Sequence, residues 1–204
     1  MPTVLLIRHG ENDYVKKGRL AGRKPGVHLN EKGCAQAKNL AKALAKTPIK
    51  AVYSSPLERT METAEPIAKA QKLKVIKREG LFEVDFGKWQ DRTIKQLSRL
   101  KLWRIVQFNP AQARFPEGES FADAQHRIIT EIEILCNQHK PKDTIVCVSH
   151  SDMIKLAVAY YLGLPLDLFQ RLTVMPGSIS TIHLGKEGTR LYNLNYVPTI
   201  HFHE

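Results

Sequence analysis

The chain has 204 residues, 43% of them hydrophobic and 25% charged, and a formal net charge of +11. That length and balance suit one globular domain with a sizeable core, and no apolar run approaches the roughly 20 residues that span a bilayer. The positive charge invites a nucleic-acid reading, but Lys38, Lys42, Lys46, Lys69, Lys72 and Lys74 are spread along the chain without interleaved aromatics, so neither nucleic acid nor membrane is expected as a partner.

Val4-Leu5-Leu6-Ile7 reads as a buried strand, over residues 3–8, that stops abruptly at Arg8-His9-Gly10. Residues 10–30 carry Gly10, Gly18, Gly22, Pro25 and Gly26 and read as a long loop, a length that in a compact domain is often functional. A helix is expected from Asn30 or Glu31 up to Pro48, then a short strand at Ala51-Val52-Tyr53. Ser54-Ser55-Pro56 offers an N-cap and a proline for the first turn of the next helix, which carries Glu58, Arg59, Thr60, Thr63 and Ala64. A third strand is expected at residues 73–76, an irregular acidic and aromatic segment at 80–91, and a helix at 93–107 ended by Asn109-Pro110. Pro116-Glu117-Gly118-Glu119-Ser120 precedes a helix on which Phe121, Ala124, Ile128, Ile132 and Leu135 recur at helical spacing. Thr144 to Val148 is another buried strand, ending at Ser149-His150, and a helix with Ile154, Ala157, Val158 and Tyr161 follows. Residues 178–184 and 190–196 read as two strands joined through Gly185-Lys186-Glu187-Gly188. Strands alternating with helices imply an α/β fold with a mostly parallel sheet covered on both faces, a three-layer α/β/α sandwich.

Cys34, Cys136 and Cys147 are odd in number and form no C-x-x-C, which suits a reducing compartment. The amino terminus lacks a basic n-region before its first strand. Both features lead to the expectation of a cytoplasmic protein.

Two strands therefore end alike, in Arg8-His9 and in Ser149-His150. Open α/β sheets bind ligands beyond the carboxyl ends of their strands. If the two strands are neighbours, both histidines meet at one sheet edge. Arginine suits phosphate, and histidine serves as nucleophile or proton carrier. Arg59, in the first turn of a helix, adds a guanidinium where the helix terminus already favours an anion.

Four segments resemble the histidine phosphatase superfamily, in its phosphoglycerate mutase-like, phosphohistidine-forming branch: Arg8-His9-Gly10-Glu11, Ser54 to Thr60, Leu81 to Trp89, and Val148-Ser149-His150. Leu29 to Gly33 and Pro116 to Ser120 are similar to further family motifs, and the resemblance runs from about residue 3 to residue 184. It implies a phosphoglycerate mutase-like fold: one domain over residues 1–204, with 80–120 as a small cap or insertion over the site. It implies His9 as the nucleophile, Glu83 as the general acid and then base, and Arg8, Arg59 and a protonated His150 around the phosphoryl oxygens. Asp85 competes with Glu83 on the residues alone.

The chain departs from the family pattern at three places. Val15 stands where an asparagine often contacts phosphate, Trp89 is followed by Gln90-Asp91, and His150 is followed by Ser151. Asn12 or a loop N–H is expected to replace the contact at Val15. Arg19, Ala21 and Gly22 either read a second anionic group of the substrate or are solvated.

The resulting expectation is a phosphomonoesterase acting on a small phosphorylated metabolite, with no metal and no cofactor. A homodimer is left open. The alternative is a phosphomutase, which the short span between Glu83 and His150 disfavours. A non-catalytic phospho-ligand module would not need the full set of Arg8, His9, Arg59, Glu83 and His150. A metal hydrolase would draw on His201 and His203, which are better explained as part of a tail.

Overall fold

The computed structural model describes residues 2–185 and 187–198. In chain order the strands and α-helices are β1 (Thr3–Arg8), α1 (Asp13–Lys16), α2 (Glu31–Ala43), β2 (Ile49–Ser54), α3 (Glu58–Ala70), β3 (Val75–Lys77), α4 (Ile94–Leu97), α5 (Lys101–Phe108), α6 (Phe121–Asn137), β4 (Thr144–Ser149), α7 (Ser151–Tyr161), β5 (Ile179–Gly185) and β6 (Gly188–Tyr196). The six strands form one sheet in the order β3-β2-β4-β1-β5-β6. The first four are mutually parallel, while β5 runs antiparallel to β1 and β6 antiparallel to β5. The sheet is therefore mixed, parallel where helical crossovers connect it and antiparallel where a short turn joins its last two strands.

The apolar runs are continuous because both sheet faces are covered. Along β1, Val4 and Leu6 join the larger core with Ile145 and Cys147, beneath α6, α7 and the 81–121 segment. Leu5 and Ile7 point the other way, with Val146 and Val148, into the core under α2 and α3. Each fully buried Leu or Ile contributes about 1.5–3 kcal/mol of burial free energy, so the alternation stabilises both layers.

Three expectations need correction. Ser54 and Ser55 do not cap α3. That helix starts at Glu58 after Leu57, with no side-chain cap. Ser54 completes β2, and the Ser55 N–H donates to the Val148 carbonyl, 3.0 Å away. The helix expected over 93–107 is broken into α4 and α5: Thr93 and Gln96 close a capping box, and Leu100 begins the second helix in extended backbone. The 10–30 loop contains α1, capped by the Asn12 side chain, and bridges Asn12–Leu29 and Arg19–Thr93 tie it down.

Gly10 explains how β1 leaves the sheet beside α2. A Cβ there would lie 2.6 Å from the Gly33 carbonyl oxygen, and one on Gly33 would strike the Glu11 carbonyl. Both positions permit close backbone approach. The Gly10 N–H then reaches Thr63 Oγ1 on α3, at 3.0 Å.

Candidate active site

Strands β1 and β4 are neighbours with Arg8 opposite Ser149, so the two strand ends deliver His9 and His150 to one edge. The imidazoles stand edge to face with ring centroids 5.3 Å apart. Both are buried. His9 Nδ1 lies 2.7 Å from the Gly10 carbonyl oxygen. A carbonyl only accepts, so Nδ1 carries the proton and Nε2 keeps a free lone pair. Burial, then Arg59 and Arg8, hold the His9 pKa well below its ordinary value. The ring is neutral at physiological pH, as a nucleophile requires.

His150 is set the other way round. The Arg59 guanidinium donates to Nδ1 at 3.3 Å, so Nδ1 is the acceptor and Nε2–H faces Ser55 Oγ at 3.0 Å. Burial, followed by the charge of Arg59, pushes its pKa far down. The free protein therefore favours neutral His150, while the expected protonated form belongs to the phosphate-bound state, where a dianion would draw a proton to it.

Arg8 donates Nη1 to the Val174 carbonyl at 2.6 Å, and Arg59 donates Nη2 to the Gly22 carbonyl at 2.7 Å. These bonds aim the two guanidiniums but do not exhaust them. Among the described residues, Arg8 Nε, Arg59 Nε, Arg59 Nη1 and Asn12 Nδ2 are buried donors without a partner. All three residues line the same cleft, of about 190 Å³, with His9 and Glu83. Buried donors are normally satisfied, so four such donors on residues of one cleft suit an anion.

Asn12 lies beside Val15 in the cleft lining. Its Oδ1 accepts the Val15 N–H at 2.9 Å, which fixes the amide and leaves Nδ2 free. Val15, Ala21 and Gly22 line the cleft, as does Arg19. The Arg19 guanidinium, however, is taken up by Asp91: Nη2 reaches Oδ1 at 2.7 Å and the carbonyl at 2.8 Å. Asp91 also holds Tyr14 and Lys24, each at 2.8 Å. It escapes a sequence reading, because its partners lie far along the chain.

Glu83 sits across the cleft, Oε2 3.8 Å from His150 Nδ1, with Oε1 accepting its neighbour Val84's N–H at 3.0 Å. Burial, reinforced by the negative charge of Asp152, pushes its pKa up to about 7, against the pull of Arg59 and Arg8. The raised value does not depend on a bound phosphate, and Asp152, which also lines the cleft, went unnoticed in the sequence. For Asp85 the geometry points elsewhere: its Oδ1 accepts the Gly87 N–H at 3.0 Å, and it is not part of the cleft lining. His201 and His203 lie outside the described residues.

An unprotonated imidazole nitrogen, a cradle of buried donors and an opposing carboxyl with a near-neutral pKa suit phosphoryl transfer at an α/β sheet edge. The family model of the histidine phosphatase superfamily (branch 1) matches residues 4–197, and the chain belongs to that family. It is 32% identical over 197 residues to phosphoserine phosphatase 1 of Hydrogenobacter thermophilus, covering 96% of this chain and 92% of that one. It is 29% identical to a 2,3-bisphosphoglycerate-dependent phosphoglycerate mutase of Thermoplasma acidophilum, over 89% and 87% of the two chains. Among solved structures it is similar to the phosphoserine phosphatase of Entamoeba histolytica in complex with 3-phosphoglyceric acid, with a TM-score of 0.86 and 27% identity over 96% and 97% of the chains.

Proposed function

We propose that the protein is a phosphomonoesterase that works through a phosphohistidine and needs no metal, and that its substrate is a small phosphorylated metabolite such as phosphoserine. His9 Nε2 attacks phosphorus, and the P–O ester bond breaks. The proton on Glu83 passes to the leaving oxygen. Water then enters, Glu83 as carboxylate takes its proton, the hydroxide oxygen attacks phosphorus, and inorganic phosphate leaves His9 neutral. Arg8, Arg59, Asn12 and His150 hold the phosphoryl oxygens throughout. Residues 80–120 act as a cap that brings Glu83 over the phosphate.

The observation that carries this reading is the set of four buried donors, unpartnered among the described residues, on residues that line one cleft with His9. The choice of phosphatase over mutase is supported by likeness to phosphoserine phosphatases over nearly the whole chain. Hydrolysis and mutation share the first step and differ in whether water reaches the intermediate.

The test is to incubate the protein with radiolabelled substrate and excess chelator, quench in alkali and count protein-bound label. Acid-labile, alkali-stable label in the wild type and none in His9→Ala is the expected result. Turnover that collapses with chelator and returns with a divalent metal would overturn the mechanism. Assaying phosphoserine beside 3-phosphoglycerate, for both free phosphate and 2-phosphoglycerate, separates hydrolysis from isomerisation.

A further inference from the structure

The Pro116–Ser120 turn has no part in the chemistry above, yet it is tied to the segment that bears Glu83. Glu119 Oε1 accepts from the Asp85 N–H at 2.9 Å, from Arg127 Nη2 at 2.6 Å and from Arg23 Nη2 at 3.1 Å. Both arginines in turn grip backbone carbonyls of the acid segment. Arg127, on α6, reaches Gly80 and Phe82 through Nη1, each at 2.9 Å, and Glu83 through Nη2 at 3.3 Å. Arg23 reaches the same Glu83 carbonyl through Nε at 2.9 Å and lies over the Phe82 ring. Ser149, next to His150, donates to the Leu81 carbonyl at 2.8 Å.

These bonds matter because residues 82–86 lie in no helix or strand, so no ladder holds their carbonyls. A Cβ on Gly118 would strike the Asp85 carbonyl, so the turn lies flush against the segment. Charge-assisted bonds from planar guanidiniums fix direction as well as distance.

Arg23 adds a link to substrate. It follows Gly22, which lines the cleft and whose carbonyl holds Arg59. The Arg23 N–H is itself bound to Gln90 Oε1 at 2.6 Å. One stretch of loop thus touches the phosphate arginine on one side and the acid's backbone on the other.

We propose that Glu119, Arg23 and Arg127 are positioning residues for Glu83, and that Arg23 makes the acid's placement depend on the seating of the cleft loop. The proposal rests on Glu83 being the general acid. It assigns Glu119 a role in leaving-group protonation without contact to substrate.

The experiment measures kcat and KM of the wild type, Glu119→Gln, Arg23→Lys and Glu83→Gln with an alkyl phosphate and with 4-nitrophenyl phosphate. A poor leaving group needs the acid and a good one does not. Glu119→Gln is expected to lower kcat for the alkyl ester about tenfold or more and to change the nitrophenyl ester no more than about threefold, and Arg23→Lys to act in the same sense. In the Glu83→Gln background, adding Glu119→Gln should change the alkyl rate by less than about twofold, because residues acting through one group are not additive. Equal losses on both esters, or additive losses in the double variant, would overturn the proposal. Should Glu119→Gln not fold, Arg23→Lys decides by the same comparison. If Glu83→Gln itself shows no leaving-group preference, the acid assignment fails; if it does and Glu119→Gln does not, only the positioning role fails.

Discussion

The two walls of the cleft are built differently. The phosphate wall hangs on the sheet and on the start of α3: Arg8 ends β1, His9 and His150 follow paired strands, Arg59 lies in the first turn of a helix, and the two arginines keep buried donors that have no partner among the described residues. The other wall is mostly loop: it draws on residues 12–22, which include α1, on Glu83 and Phe86, and on the first turn of α7, and charged groups in and behind it are paired with one another. Arg19, Lys24 and Tyr14 converge on Asp91, and Arg23 and Arg127 on Glu119. The first wall keeps donors for charge from outside, as does Asn12 on the second, while the ion pairs of the second hold its shape. On the proposed mechanism, the sheet edge would hold the phosphoryl group and the loops would act on the leaving group.

The sharpest way to break the contrast is Glu83→Gln. Turnover of alkyl phosphates should fall about 10²–10⁴-fold, with a much smaller fall for nitrophenyl phosphate; parallel losses would show that the loop wall acts on every ester alike. Arg59→Lys removes a planar fork from the phosphate wall and should cost about 10²–10³-fold in kcat/KM regardless of leaving group. A loss that varied with leaving group would place Arg59 on the wrong side of the division.

The pH profile sharpens the same point. Glu83 must hold its proton and titrates at about 7, while His9 must be neutral and titrates far below its ordinary value. The kcat/KM of the free protein should thus be highest below neutrality and decline as pH rises through about 7. Asp152→Asn removes a negative charge that raises the Glu83 pKa, so its alkaline limb should move to lower pH, read from kcat/KM against pH. A limb that stays in place or moves upward would mean another group governs it. The smallest effect is expected from Asp91→Asn, which loosens half-exposed ion pairs and should raise KM about two- to fivefold with little change in kcat.

The sequence exposed the sheet edge better than the loops for a physical reason. A buried strand declares itself in an apolar run, and the residue that ends it is placed by the sheet, so Arg8-His9 and Ser149-His150 could be paired before any geometry was known. The serines at 54 and 55 misled because a good capping pattern was instead used by β2, the Val148 carbonyl and His150. Asp91, Asp152 and the Glu119 brace lay hidden because their partners are remote in sequence or their effect is purely one of burial and field. Asn12 is visible in the sequence as a neighbour of Val15, but the backbone bond that orients it exists only in three dimensions.

The hydrogen bond from His9 Nδ1 to the Gly10 carbonyl has a regiochemical consequence. It leaves a single nitrogen able to become a phosphoramidate, the one farther from the backbone. The modified ring would keep its Nδ1–H anchored in place, so the phosphorylated enzyme would be chemically one isomer. Its phosphorus would sit over the arginines for both halves of the cycle.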